Sequence, residues 1–381
     1  MKSKKANMTV IDLLNMSDHE KQVVAKIVLA ANTRVFPKGT LVGQNQGESL
    51  LFSHTLVRRE RRYKEEKSHK LMGGDLLPTT RFEILLGSIN SGSEGEIYDA
   101  MTCYVDNNKP PRLQLISKSQ EKQRIIKSFF EKSLVKDERL KNEYSNIKNI
   151  PHLAAKKPTI SHYGNFFVMR KLSGNDLFDK TLMETSNPKN NSLSIADRFE
   201  ISINVLYALH NQVVKHGLIH NDIKEENIMV DKKNNTHFVD YSLAALPNKQ
   251  LQCGTPIYFS PEKAKDEPLT PDDDAYAAII VIAKVWKIKL KVEKKYPNVN
   301  YRNMFEITSF ISKNKEVFDF DNFDRYIDLD LSMKEEIKKI FIAGTALKKN
   351  KRMDVNEVIK QFEHIQLTYR SQVKRNNHST G

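Results

Sequence analysis

The chain has 381 residues, 39% hydrophobic and 28% charged, which is enough apolar material for one large or two modest domains and too much for a disordered chain. Lys and Arg number 61 against 47 Asp and Glu, a formal charge of +14, so an acidic partner such as a nucleotide, nucleic acid, anionic lipid or acidic protein is favoured. Two cysteines, Cys103 and Cys253, exclude a disulfide framework and a four-cysteine zinc site, and a reducing compartment is expected.

The N-terminus MKSKKANMTVIDLLNMSD is basic, but its apolar stretch is short and contains Asp12, so no signal-peptide core is expected. The longest uncharged apolar run, Ala275 to Ala283, is half of what spans a bilayer. These features suggest a soluble protein of the cytoplasm with no transmembrane segment. Val10, Leu13, Leu14, Val23, Val24, Ile27 and Val28 recur at spacings that predict one or two amphipathic helices, broken near Ser17-Asp18. A mixed charge run, VRRERRYKEEKSHK, covers Val57 to Lys70; Glu60, Glu65 and Glu66 dilute its positive field and argue against nucleic acid as the partner. Residues 1–80 are therefore expected to be a separate helical and charged extension.

After Pro78 come RFEILLGSI, GEIYDAMTCYV, PRLQLISK and NFFVMRKL, alternating segments that predict an antiparallel sheet. A helix is expected between the third and fourth, from about Glu121 to Lys148. Helical patterns dominate from Ser194 onward, with short strands at IMV and HFVD. The result is an α+β chain with a strand-rich lobe followed by a helical one. Residues 370–381 are expected to be a basic disordered tail.

The stretch His220-Asn221-Asp222-Ile223-Lys224-Glu225-Glu226-Asn227 gathers an Asp, a Lys and an Asn in one tight loop. Phosphoryl transfer uses that set: a carboxylate orients the attacking hydroxyl, an ammonium neutralises phosphoryl charge, and an amide oxygen holds Mg²⁺. Asp240, thirteen residues after Asn227 in HFVDYS, suits a second metal contact.

From about residue 81 to 369 the sequence resembles the eukaryotic-type protein kinase family. The catalytic-loop pattern H-R-D-x-K-x-x-N stands here as HNDIKEEN, D-F-G as Asp240-Tyr241-Ser242, and the activation segment ends in CGTPIYFSPE. The resemblance implies a bilobal protein-kinase-like fold, with an N-lobe at 81–168 and a C-lobe at 173–369. It also implies that Arg352 pairs with Glu262 and that Asp274 braces the catalytic loop, both as scaffold. Gly92 and Gly95, in INSGSEGEIY, resemble the glycine-rich loop over the nucleotide phosphates, with Asn90 in place of the first glycine.

The phosphate-contacting lysine belongs on the next strand, where Lys118 alternates correctly with Ile116 and Lys122 lies nearby. Its partner in the following helix is expected to be Glu143, with Glu131 and Glu138 as alternatives. Met169 takes the gatekeeper position, Arg170, Lys171 and Leu172 the hinge that holds adenine, and Asp176 the ribose contact. Lys224 and Thr255, in Gly254-Thr255-Pro256, match serine/threonine kinases.

The resemblance thus implies an ATP- and Mg²⁺-dependent Ser/Thr protein kinase acting on a protein substrate, with residues 1–80 open to a regulatory partner. The rival reading is a pseudokinase scaffold, suggested by the departures at Asn90, Asn221 and Tyr241-Ser242. A Lys- and Asn-rich composition with an N-terminal extension also resembles effector kinases that intracellular bacteria deliver into a host cytoplasm.

Overall fold

The computed structural model describes residues 8–379 except 32, 40, 46–47, 60–79, 93–94, 107–108, 117–122, 130–133, 187–192 and 298–302. Contacts divide the chain into two units, residues 1–172 and 173–381.

The first unit runs β1 (Met8–Ile11), α1 (Asp18–Ala30), β2 (Val35–Phe36), β3 (Leu41–Asn45), β4 (Glu48–Phe52), β5 (Leu56–Arg58), β6 (Thr80–Gly92), β7 (Gly95–Val105), β8 (Leu113–Leu115), β9 (Arg124–Phe129), α2 (Leu134–Ile147), β10 (Thr159–Ser161) and β11 (Gly164–Arg170). Its main sheet is antiparallel, in the order β10-β11-β9-β7-β6-β5-β2, with β8 paired to β7 off that path. A second sheet, β1-β4-β3, has β1 parallel to β4.

Residues 8–58 form no unit of their own. Hydrogen bonds join β5 to β6 through Leu56–Ile84, Val57–Glu83 and Arg58–Phe82. Leu13, Val24, Val28, Phe36 and Phe52 share one buried cluster with Phe82, Ile84, Cys103 and Val105. At the same seam the fully buried Glu83 accepts from Arg59 Nε (2.8 Å) and Thr102 Oγ1 (2.8 Å). The expected helical N-terminus is half correct. Ser17 and Glu20 form a reciprocal capping box that starts α1 at Asp18, but Met8–Ile11 is a strand because β4 offers it a ladder.

The helix expected over 121–148 is two elements. Arg124–Phe129 is strand β9, and only Leu134–Ile147 is helical. β9 has β7 on one side and β11 on the other, and two ladders outweigh the helix propensity of a Lys- and Glu-rich stretch.

The second unit runs β12 (Asn175–Asp176), α3 (Leu177–Ser186), α4 (Ile195–Gln212), β13 (Ile228–Val230), β14 (Thr236–Phe238), α5 (Pro261–Ala264), α6 (Pro271–Val285), β15 (Lys289–Leu290), α7 (Lys291–Lys295), α8 (Met304–Lys313), β16 (Phe318–Asp319), α9 (Asp321–Tyr326), α10 (Leu331–Gly344) and α11 (Val355–Ser379). α6 is the spine of this unit: every residue from Ala275 to Ala283 is buried. Phe199 of α4 meets Trp286 edge-on at 4.8 Å, and Phe362 of α11 stacks on the same indole at 6.4 Å. The disordered tail expected from residue 370 is instead the last part of α11, tied down by Arg370–Glu200 (3.3 Å) and Gln372–Asp330 (3.0 Å). Among the described residues no helix is long and apolar enough to cross a membrane. The chain is α+β, an antiparallel-sheet unit followed by a mainly helical one, as the sequence suggests.

Candidate active site

The loop after α4 is held from below by Asp274 in the first turn of α6. Its two oxygens accept the backbone N–H groups of His220 (2.5 Å) and Asn221 (2.9 Å). Burial pushes the Asp274 carboxyl above its usual range, against the pull of His220 and these donors. His220 Nε2 lies 2.9 Å from the Val239 carbonyl; a carbonyl only accepts, so Nε2 carries the proton.

Within the loop, Asp222 is fixed at both oxygens. Oδ1 accepts the N–H and the Oγ1 hydroxyl of Thr255, each at 3.0 Å. Oδ2 lies 3.1 Å from Asn227 Nδ2 and 3.4 Å from Lys224 Nζ. The approach of Thr255 depends on its neighbour. Gly254 has φ +108°, and a Cβ there would fall 2.6 Å from the Asn221 carbonyl oxygen, so only glycine fits.

Asn227 spends Nδ2 on Asp222, donating to its carbonyl oxygen (2.8 Å) as well as to Oδ2. That leaves amide oxygen Oδ1 for a cation. Asp240 follows β14 at φ +57°, and the preceding Val239 N–H bonds the Asn227 carbonyl at 3.0 Å, which links the two residues through the backbone. One amide oxygen and one carboxylate are hard donors. They suit Mg²⁺ that completes its shell with water and substrate phosphate oxygens. No cluster of three His, Cys, Asp or Glu able to hold a resident metal occurs among the described residues. Tyr241 is scaffold: its ring is buried 4.6 Å from His220 and its hydroxyl reaches the Gln212 carbonyl (3.3 Å).

In the first unit, Lys127 of β9 is 7% exposed and its ammonium meets both oxygens of Glu143 of α2, which is 3% exposed, at 3.1 Å each. The pair expected between Lys118 and Glu143 is thus made by Lys127. Lys118 and Lys122 lie outside the described residues. β8, which opens the LQLISK segment, pairs among the described residues with the far end of β7 (Cys103–Val105), whereas β9 lies between β7 and β11.

Gly92 and Gly95 pair directly across the β6–β7 hairpin. A Cβ on Gly95 would fall 2.1 Å from the Ser128 carbonyl oxygen, so this glycine lets β9 approach beside Lys127. Met169 is buried at the end of β11. Arg170 is still in the strand: its N–H goes to the Leu153 carbonyl, and that of Lys171 to Gln123, both at 2.8 Å. Lys171 Nζ also grips both oxygens of Asp99 on β7 (2.6 and 2.8 Å), which fixes the chain entering Leu172. Asp176, in the second unit, caps α3 by accepting the Asp179 N–H at 2.7 Å; burial raises its pKa.

The segment from Asp240 to Glu262 is anchored at its end by Arg352, whose guanidinium takes both Glu262 oxygens (3.1 and 2.9 Å). Nearer the loop, Asn221, at φ +69°, donates from Nδ2 to the Leu243 carbonyl (3.2 Å) and Cys253 Sγ (3.1 Å). Lys263 Nζ donates to the Asn221 carbonyl (2.8 Å) and Oδ1 (2.6 Å) and lies 4.2 Å from the Phe259 ring centre. Burial lowers the Lys263 pKa, against the pull of Asp274 and other anions.

Comparison with known proteins decides the family. The sequence matches the protein kinase domain over residues 88–362, well over half of the chain. It belongs to the protein kinase family. It is 30% identical to CBL-interacting serine/threonine-protein kinase 7 of Arabidopsis thaliana over 202 residues, 48% of this chain and 42% of that protein. It is 28% identical to NUAK family SNF1-like kinase 2 of Rattus norvegicus over 169 residues, 41% of this chain and 26% of the relative. A third relative, calcium-dependent protein kinase 5 of Plasmodium falciparum, is 26% identical over 258 residues, 65% of this chain and 42% of that kinase. The chain spans less than half the length of these curated relatives.

In this kinase the structure brings together Asp222, Lys224, Asn227 and Thr255 in one unit, and Glu143 with Lys127 in the other. Sequence reasoning missed Lys127, Glu225 and Lys263. The signal for Lys127 was a lone cation in the otherwise uncharged stretch IIKSF, sixteen residues before Glu143. Lys263 had no comparable signal, because its role depends on contact with a loop 42 residues away.

Proposed function

We propose that the chain transfers the γ-phosphoryl group of Mg·ATP to a Ser or Thr hydroxyl of a protein substrate. The observation that carries this reading is the carboxylate of Asp222, held by Thr255 on one oxygen with Lys224 and Asn227 beside the other. Asp222 would orient the hydroxyl and accept its proton as the new P–O bond forms. Lys224 would neutralise charge on the transferred group while the bond to the β-phosphate oxygen breaks and ADP leaves. Asn227 and Asp240 are the groups for the Mg²⁺ of the nucleotide, and Lys127, positioned by Glu143, is the group for its α- and β-phosphates. The backbones of Gly92 and Gly95 would cover the phosphates; Met169, Arg170 and Leu172 would line the adenine site, with Asp176 near the ribose.

The Thr255–Asp222 hydrogen bond and the presence of Lys224 support a serine/threonine substrate, consistent with the names of the relatives. The test is Mg²⁺-dependent incorporation of labelled γ-phosphate into a generic basic protein. The wild type should label it, and Asp222→Ala and Asp240→Ala should each lose about 10²- to 10³-fold. Mg·ATP binding with no transfer above that of Asp222→Ala would establish the pseudokinase reading instead.

A further inference from the structure

A second polar cluster touches the catalytic loop three residues after Asp222. Glu225 is 3% exposed, and its carboxylate accepts the hydroxyl of Tyr258, in the short helical turn Pro256–Tyr258. Its other oxygen lies 3.1 Å from Lys284 Nζ, near the end of α6. Lys284 donates back to the Tyr258 hydroxyl (2.8 Å), sits 4.7 Å from that ring's centre, and meets Glu293 of α7 at 2.8 Å. Loop, turn and α6 are thus closed into a ring of three side chains, with α7 attached to it.

Burial pushes the Glu225 carboxyl above its usual range, with Lys284 opposing. Burial also works to lower Lys284, but two carboxylates outweigh it and hold the ammonium above its ordinary value. The stronger hold is on Lys284 because it has two anionic partners where Glu225 has one cation.

The turn carrying Tyr258 starts at Thr255, which bonds Asp222. The Thr255–Tyr258 turn is therefore fastened to the catalytic loop at both of its ends, Thr255 to Asp222 and Tyr258 to Glu225, beside the contacts Asn221 makes to Leu243, Cys253 and Lys263. One attachment leaves a pivot; two fix an orientation. We propose that Glu225 is a positioning residue that, through Tyr258 and Lys284, sets the orientation of the protein-substrate platform relative to Asp222. The inference rests on the kinase reading above. Glu225 need not touch ATP or the reacting atoms. Its loss should weaken protein-substrate binding and spare the nucleotide.

The experiment measures KM and kcat for the generic basic protein, affinity for a non-hydrolysable Mg·ATP analogue by calorimetry, and thermal stability, in the wild type, Glu225→Gln, Tyr258→Phe and Glu225→Gln/Lys284→Met. Glu225→Gln should raise KM for the protein about tenfold, within the range of directly coupled pairs, and leave nucleotide affinity unchanged. Tyr258→Phe, which removes only the hydroxyl, should produce the same split and serves if Glu225→Gln folds poorly. The double variant removes the ammonium together with the carboxylate, leaves only the part-exposed Glu293 without its cation, and should not recover KM. A fall in melting temperature with unchanged KM would overturn the proposal in favour of a purely structural role, and so would an equal change in both substrates. A wild type no more active than Asp222→Ala would instead overturn the kinase reading.

Discussion

Lys127→Met paired with Lys127→Met/Glu143→Leu separates the site assignment from its structural background. Lys127 and Glu143 are 7% and 3% exposed and bonded at both carboxylate oxygens. Removing one member of such a buried pair leaves an uncompensated charge and costs about 3–5 kcal/mol. Against a typical total of about 5–15 kcal/mol, that is enough to lower the folded fraction of a marginal protein. Loss of a phosphate-binding ammonium costs a further ~10²–10³ in rate. Lys127→Met alone therefore confounds unfolding with lost chemistry, and Lys127→Met/Glu143→Leu removes the confusion. The double variant buries no lone charge and should regain most of the lost stability in a urea titration, yet stay inactive in γ-phosphate transfer. Lys118→Met should match the wild type in both assays. Wild-type transfer by folded Lys127→Met, or loss of transfer in Lys118→Met, would refute the assignment of the phosphate contact to β9.

Four further outcomes are expected. Phe52 is buried against Phe36 (6.1 Å) in the cluster shared with β6 and β7, so Phe52→Ala should cost about 3–5 kcal/mol. Deleting residues 1–58 should then abolish soluble protein; a soluble 59–381 chain with the wild-type melting temperature would contradict that. No Ser, Thr or Tyr lies between Leu243 and Gly254, and Asn221 already bonds Leu243 and Cys253. Protein from a kinase-free host, unmodified by intact mass, should be active and insensitive to phosphatase, and silence until a residue between 240 and 262 is phosphorylated would refute this. Burial opposes the charge of Asp197 in the α4 capping box, but hydrogen bonds from Ser194 and Asn234 outweigh it and hold its pKa below the ordinary 3.8. Its contribution to stability is present above that value and lost as pH falls through the lowered one, so Ser194→Ala should flatten the acid limb of the stability profile; an unchanged limb would count against it.

The helical unit was legible because its chemistry is local. Asp222, Lys224 and Asn227 fall within six consecutive residues, and their contacts are made by that loop and the Thr255 segment. The antiparallel sheet was legible as strands but not as a register. LQLISK reads as the strand after the glycine hairpin, while RIIKSF falls within the helix expected over 121–148, so pattern alone misses β9. What decides is pairing: β9 has neighbours on both sides, and among the described residues β8 pairs with the end of β7 alone. Nor does composition reveal that Glu83, in an alternating strand, is wholly buried. On pattern alone it belongs on a solvent face, and only Arg59 and Thr102 explain its place.

The N-terminal segment shows most sharply why such information lies outside local sequence. The family match begins at residue 88, within β6, so the segment before it reads as an appendage. Yet β6 is itself an unfinished edge without β5, since a row of its N–H and C=O groups would go unpaired. β5 supplies those partners from across the 21 residues between Arg58 and Thr80, and no periodicity signals a pairing over that distance. Once β5 is in place, Leu56 brings the α1 and β4 side chains onto Phe82 and Ile84, and the Arg59–Glu83 pair is closed off from water at the same seam. An appendage could be lost without consequence to the sheet. A segment that completes the β6 edge, covers its apolar face and neutralises its buried carboxylate cannot, and a segment with these three roles is part of the folded unit that holds β6 and β7.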